Sequence, residues 1–169
     1  MTILLLARHG ETTANKAQIL QGQTPGELNE KGIEQAEELR DVMLTRSIDA
    51  FVASDLQRSI DTCRIVAMPH KKDVATTPLL RERDWGSFTG CFIPDLKDKV
   101  FPDDIETLDQ MKERARKFIR FLTENYPNQT VLAVGHGIIN KAIQSVYFNK
   151  PMKEILPMHN AEVRELKLE

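Results

Sequence analysis

Two histidines and two arginines of this 169-residue chain stand directly behind short apolar runs. Arg8-His9-Gly10-Glu11-Thr12 follows Thr2 to Ala7, Ser54-Asp55-Leu56-Gln57-Arg58 follows Ala50 to Ala53, and Gly135-His136-Gly137 follows Val131 to Val134. These residue types suit an anion. A guanidinium is a planar fork that can grip two oxygens of a phosphate, and helix starts add unsatisfied backbone N–H groups at a positive dipole end. Taken singly, each residue has a blander account: an Arg behind a strand is usually a surface charge, and a lone His is more often a hydrogen-bonded structural residue than a catalyst. The convergence outweighs this. Three segments far apart in sequence deliver the same chemistry to strand ends, which is where ligands bind in an open α/β sheet.

Placing those ends side by side requires alternating strands and helices. Strand-length apolar runs fall at Thr2 to Ala7, Ala50 to Ala53, Val74 to Thr76, Val131 to Val134 and Glu162 to Lys167. Helical periodicity fills the intervals, so the chain is expected to form an α/β fold, a three-layer α/β/α sandwich with a mostly parallel sheet. The first and fourth runs are almost continuously hydrophobic, as strands covered on both faces are. The last alternates, with Val163, Glu165 and Lys167 opposite Glu162, Arg164, Leu166 and Leu168, which predicts an antiparallel edge strand.

Four helices are expected. Asn29 is an N-cap for a helix with the apolar stripe Ile33, Ala36, Leu39, Val42 and Met43. Ser54 and Gln57 make a capping-box pattern ahead of a second helix that turns Ile60, Cys63 and Ala67 inward. A long third helix starts near Ile105 and packs Ile105, Leu108, Met111, Ala115, Phe118, Ile119 and Leu122. A fourth packs Ile138, Ala142, Ile143 and Val146. On the third, Lys112, Arg114, Arg116, Lys117 and Arg120 interleave with the stripe and read as a solvated outer face. No linker or repeat interrupts the pattern, so residues 1–169 are expected to be one domain.

Composition narrows the partners. Lys+Arg 23 against Asp+Glu 25 gives a net charge of -2, so no chain-wide attraction to nucleic acid or acidic membranes exists and affinity for anions must be local. No apolar run approaches the roughly 20 residues of a membrane span. The start of the chain reaches Arg8 and His9 before any cleavage-site pattern, so no secretory signal is expected. Cys63 and Cys91 are the only cysteines; they read as reduced thiols and point to a cytoplasmic protein. A length at which a domain buries roughly 70% of its unfolded surface needs no staples.

The ordered set of motifs resembles the histidine phosphatase superfamily, the phosphoglycerate mutase-like proteins. The matching segments are Arg8-His9-Gly10-Glu11-Thr12 with Asn15, Gln21-Gly22, Leu28-Asn29-Glu30-Lys31-Gly32-Ile33-Glu34-Gln35-Ala36, Ser54-Asp55-Leu56-Gln57-Arg58-Ser59, Leu80-Arg81-Glu82 with Trp85-Gly86 and Gly90, and Gly135-His136-Gly137. They span nearly the whole chain in the family's order. The resemblance implies that His9 is the nucleophile that becomes phosphohistidine, and that Arg8, Arg58 and His136 clamp the phosphate. It implies further that Asn15, Gln21 and Gly22 line the phosphate and substrate pocket, and that Glu82 donates a proton to the leaving group.

Such roles are chemically coherent. To attack phosphorus His9 must be neutral, and neighbouring cations such as Arg8 and Arg58 lower its pKa by penalising imidazolium. Phosphoryl transfer asks mainly for in-line positioning and charge neutralisation, which two Arg and a second His can supply without a metal or other cofactor. An alkoxide leaving group needs a proton, which a neutral carboxyl can give. Glu82 lies in the run Arg81-Glu82-Arg83-Asp84, so a solvated charged loop is the competing account of it. Other chemistries fail on spacing: no Cys precedes an Arg by six positions, no Gly-x-x-x-x-Gly-Lys loop exists, and His9-Gly10-Glu11 lacks the Pro-Cys-x-x-Cys half of a zinc deaminase. His70 and His159 are given no role.

Departures from the family pattern refine the expectation. Only a short segment separates Gly90 from the third helix, where larger relatives carry insertions that cover the site, and this favours hydrolysis over mutase chemistry. Thr89 stands where many relatives have Glu, whereas Arg83 after Glu82 is reminiscent of the mutases. The expectation is a metal-independent phosphatase for a small phosphorylated metabolite. A phosphoglycerate mutase, or a phosphate-binding signalling module without turnover, is the alternative; a degenerate binder would be expected to lose His9 or Glu82.

Overall fold

Along the first strand, Leu4 and Leu6 join one buried apolar cluster while Leu5 and Ala7 join another, the alternation expected of a strand covered on both faces. The computed structural model describes residues 1–169. Its sheet contains β1 (Thr2–Arg8), β2 (Ala50–Ser54), β3 (Val74–Thr77), β4 (Thr130–Gly135) and β5 (Val163–Leu168), in the order β3-β2-β4-β1-β5. β1, β2, β3 and β4 are mutually parallel, and β5 runs antiparallel to β1 at the edge. On β5 only Leu166 and Leu168 are buried, as its alternation requires.

Helices cover both faces. α2 (Glu30–Met43) and α3 (Gln57–Ala67) pack Leu39, Met43, Cys63 and Val66 against Leu5, Phe51 and Val134. α4 (Leu108–Asn125) and α5 (Gly137–Phe148) pack Phe118, Leu122, Ile139 and Ile143 against Leu4, Leu6 and Val131. A short α1 (Thr13–Ala17) precedes α2. β1 therefore leads towards α2 on one face while its neighbour β4 leads into α5 on the other, which makes the C-terminal ends of β1 and β4 the switch point of the sheet. There Arg8 pairs with Gly135, and the next residues are His9 and His136.

Several local expectations are corrected. Ser54 does not cap α3: the N-cap is Leu56 with no side-chain bond, because Ser54 ends β2 and its hydroxyl turns to His136. On α2, Ile33 and Val42 are exposed, and Gly32, Ala36, Leu39 and Met43 face inward. Close backbone packing sets that face. A Cβ on Gly32 would lie 2.0 Å from the Glu11 carbonyl oxygen, and one on Gly10 would lie 2.4 Å from that of Gly32, so the loop after β1 and the start of α2 meet only as two glycines. Asn29 caps this helix as expected, accepting from Gly32 N–H at 2.8 Å.

α4 begins at Leu108 rather than near Ile105, because Thr107 and Gln110 form a reciprocal capping box. Ile105 is buried in the preceding loop and Leu108 is exposed. Arg114 is no solvated outer residue either. Its guanidinium pairs with Glu106 at 2.9 Å and donates to the carbonyls of Leu79, Arg81 and Glu82, tying α4 to the loop that carries Glu82. α1, which the periodicity does not announce, is a single capping box closed between Thr12 and Asn15.

Candidate active site

His9 leaves β1 at the switch point and is 2% exposed. Its Nδ1 lies 2.7 Å from the Gly10 carbonyl oxygen. A carbonyl can only accept, so Nδ1 carries the proton and Nε2 presents a lone pair. Burial, reinforced by the nearby Arg58 guanidinium and more weakly by Arg8, lowers its pKa to about 3 against the pull of the Gly10 bond. The ring is thus neutral at physiological pH. The shift has the direction expected from its cationic neighbours, but desolvation is its larger cause. The loop is held from several sides: Asn160 Nδ2 donates to the His9 carbonyl at 3.0 Å, and Gly10 N–H donates to Thr62 Oγ1 at 3.1 Å.

A cavity of about 220 Å³ beside His9 is lined by Arg8, Asn15, Gln21, Gly22, Arg58 and Glu82. Arg58 is 1% exposed and is fixed by carbonyls: its Nη1 donates to Thr24 and its Nη2 to Gly22, the latter at 2.8 Å. Gly22 can offer that carbonyl from a left-handed turn at φ 53°. Arg8 Nη1 donates to the Met158 carbonyl at 2.7 Å. In both arginines Nε is buried without a protein acceptor. Burial lowers Arg58 to about 10, with Glu82 opposing and Arg8 adding to the shift, so it remains a cation at neutral pH. Asn15 spends Oδ1 on Thr12 N–H, and Gln21 Oε1 accepts from Thr12 Oγ1 at 3.1 Å.

Glu82 is no loose loop charge. Its carboxyl oxygens accept from Arg83 N–H at 2.9 Å, Ile138 N–H at 3.0 Å and Ile139 N–H at 3.0 Å, so it sits at the N-terminus of α5 and satisfies backbone donors that have no partner within the helix. Arg81, its neighbour, makes a two-pronged ion pair with Asp55 behind β2.

His136 is completely buried and does not line the cavity. Its ring centroid lies 5.0 Å from that of His9, its Nε2 is 2.7 Å from Ser54 Oγ, and its Nδ1 has no partner. Burial, then His9 and the arginines, push its pKa well below the usual range. Sequence reasoning gave no site role to Ser54, whose only signal is its place at the end of β2, nor to Ile19, Leu20, Trp85, Ile93 and Ile138, which complete the cavity wall and carry no charge to mark them. No three His, Cys, Asp or Glu side chains stand together in a way that could hold a metal ion, and no helix is long and apolar enough to cross a membrane.

Comparison with known proteins gives concordant relatives. The chain is 34% identical over 141 residues to an uncharacterized phosphatase, PhoE, of Bacillus subtilis, covering 81% of this chain and 72% of that one. It is 36% identical over 166 residues to a probable phosphoglycerate mutase of Enterobacter sp., covering 89% and 77%. Among solved structures, a mycobacterial glucosyl-3-phosphoglycerate phosphatase complexed with VO3 superposes with a TM-score of 0.90 at 25% identity, covering 98% of this chain and 92% of that one. The family model of the histidine phosphatase superfamily (branch 1) matches residues 4–169. With two histidines and two arginines gathered at the switch point of a β3-β2-β4-β1-β5 sheet, the chain belongs to the histidine phosphatase superfamily.

Proposed function

We propose that residues 1–169 act as a single-domain, metal-independent phosphatase that hydrolyses a phosphate monoester of a small metabolite through a phosphohistidine on His9. One observation carries this reading: a neutral His9, proton fixed on Nδ1 by Gly10, shares a small cavity with the guanidinium groups of Arg8 and Arg58. A lone pair beside two fixed cations is the arrangement that attack on a phosphate requires.

In the first step His9 Nε2 bonds to phosphorus as the P–O bond to the leaving group breaks. Arg8 and Arg58 neutralise the equatorial oxygens, and Glu82, supplied as the carboxylic acid, passes its proton to the departing oxygen. In the second step water attacks the phosphohistidine, the Glu82 carboxylate accepts its proton, and inorganic phosphate leaves. His136, packed on His9 from behind the cavity, holds the His9 ring in position for attack. Asn15, Gln21 and Gly22 shape the phosphate end of the cavity.

A mutase would return the phosphoryl group to a second hydroxyl, and the Enterobacter relative's name makes this the second reading. Hydrolysis is favoured because only residues 91–107 lie between Gly90 and α4, little chain with which to exclude water. The deciding experiment mixes enzyme with p-nitrophenyl phosphate in EDTA and quenches in base. Turnover together with an acid-labile, base-stable phosphoenzyme that His9→Ala cannot form is the expected result, and 3-phosphoglycerate should not be isomerised. Near-wild-type turnover by His9→Ala, or dependence on a divalent ion, overturns the proposal.

A further inference from the structure

Which nitrogen of His9 is free to attack is decided at the other one. Nδ1 faces the Gly10 carbonyl oxygen at 2.7 Å, which keeps the ring proton there and leaves Nε2 bare. That carbonyl belongs to the peptide unit joining Gly10 to Glu11, a planar group whose N–H points the opposite way. A half-turn of this plane would swing the Glu11 N–H towards the ring. Nδ1 would then have to accept, and the proton would move to Nε2, the atom that needs its lone pair.

Gly10 does not fix the plane by itself. A glycine places little steric restraint on the peptides that flank it, and no larger residue fits, because a Cβ would lie 2.4 Å from the Gly32 carbonyl oxygen. The restraint comes from α2. Glu11 N–H donates to Gln35 Oε1 at 2.9 Å, and Gln35 stands three residues beyond Gly32, on the side of the helix that meets this loop. Asn29, the cap of the same helix, donates its N–H to the Glu11 carbonyl at 3.1 Å and its Nδ2 to the Glu11 carboxylate at 2.9 Å.

The preceding peptide, between His9 and Gly10, is held at both ends without α2. Asn160 Nδ2 donates to its carbonyl, and Thr62 Oγ1 accepts from its N–H while giving its own proton to the Arg58 carbonyl at 2.9 Å. The plane beyond Gly10 has Gln35 as the acceptor for its N–H. Gln35 does not line the cavity, so it acts on the site only through this plane. The bonds from Gln35 Oε1 through the peptide to the imidazole N–H run in one sense and polarise one another, which adds electron density at Nε2.

We propose that Gln35 is a positioning residue for the nucleophile: it locks the peptide between Gly10 and Glu11 with the carbonyl towards His9, and so selects the tautomer in which Nε2 is free. The consequence for turnover rests on the phosphatase reading of the cavity. The tautomer itself does not.

The test uses three variants of this half-buried position. Gln35→Leu removes the acceptor, Gln35→Asn keeps an amide but is one methylene short, and Gln35→Glu restores an acceptor at full length. Nitrogen NMR should show His9 of the wild type as the Nδ1–H form, turn it into a mixture in the Leu and Asn variants, and return it in Gln35→Glu. With ethyl phosphate, kcat should fall by roughly tenfold in the first two while KM stays within about twofold, and Gln35→Glu should recover kcat to within about threefold of wild type. Should Gln35→Leu not fold, Gln35→Asn decides. A His9 spectrum unchanged in these variants overturns the proposal, even if their melting temperatures fall, because a merely structural glutamine would alter stability and leave the tautomer alone. In an active wild type, unchanged kcat in the Leu and Asn variants, or a Gln35→Glu variant as impaired as Gln35→Leu, overturns it too and leaves the phosphatase reading intact. A tautomer that follows the three substitutions in a protein that hydrolyses neither ethyl nor p-nitrophenyl phosphate supports the positioning role and overturns the phosphatase reading.

Discussion

Ser54 and His136, 82 positions apart in sequence, meet at 2.7 Å between Oγ and Nε2 in the closed interior of the site. Ser54 Oγ also accepts from Leu56 N–H at 3.3 Å, and its own proton has no acceptor other than His136, so the hydroxyl donates to Nε2. His136 must then carry its proton on Nδ1, the buried atom without a partner. The tautomer of the histidine that caps α5 is thereby set by a serine at the end of β2.

Removing that hydroxyl should release the tautomer. Ser54→Ala is expected to lower kcat by roughly tenfold, about 1.4 kcal/mol of transition-state stabilisation, with a smaller change in KM. Nitrogen NMR shifts of His136 should move from the Nδ1–H form towards a mixture. An unchanged spectrum with unchanged kcat would show that the hydroxyl merely fills space.

Glu82 offers a second separation of roles. Its carboxylate is anchored by three backbone N–H groups, so it could act as an acid or simply hold the start of α5. Glu82→Gln keeps size and an acceptor oxygen but removes the acid. Turnover of ethyl phosphate, which leaves as a strongly basic alkoxide, should fall by roughly 100-fold or more, and p-nitrophenyl phosphate, whose phenolate hardly needs a proton, much less. Equal losses on the two esters would assign Glu82 to positioning.

Acid should weaken the fold before carboxylates begin to matter. His9 titrates at about 3 in the folded protein, against 6.5 for a free histidine, and His136 is shifted in the same direction. Between those values the unfolded chain binds protons that the native one refuses, so stability is complete above about pH 6.5 and declines as pH falls towards 3. The slope reaches about 1.4 kcal/mol per pH unit for each histidine. Asp55, lowered by its bond to Arg81, gives up its contribution only at more acidic pH. Urea midpoints at pH 7.5, 6.0 and 5.0 should therefore fall, and fall less steeply in His9→Ala. A flat profile in the wild type would mean that the two rings are not held neutral.

The sequence by itself determined the strands, their order along the chain and the start of α2, because these depend on local matters. Continuous apolar runs mark β1 and β4, alternation marks β5, and Asn29 three residues before Gly32 is a cap wherever it folds. It also determined which motif segments reach the strand ends. Tertiary structure decided what each side chain does there. Ser54 has the spacing of a helix cap and instead fixes a histidine, Arg114 has the position of a surface charge and instead ties α4 to the Glu82 loop, and His136 stands behind His9 rather than in the cavity. The physical reason is that capping and periodicity act over a few residues, whereas desolvation and hydrogen-bond choice depend on which distant groups surround an atom, and burial from every side is what keeps His9 neutral.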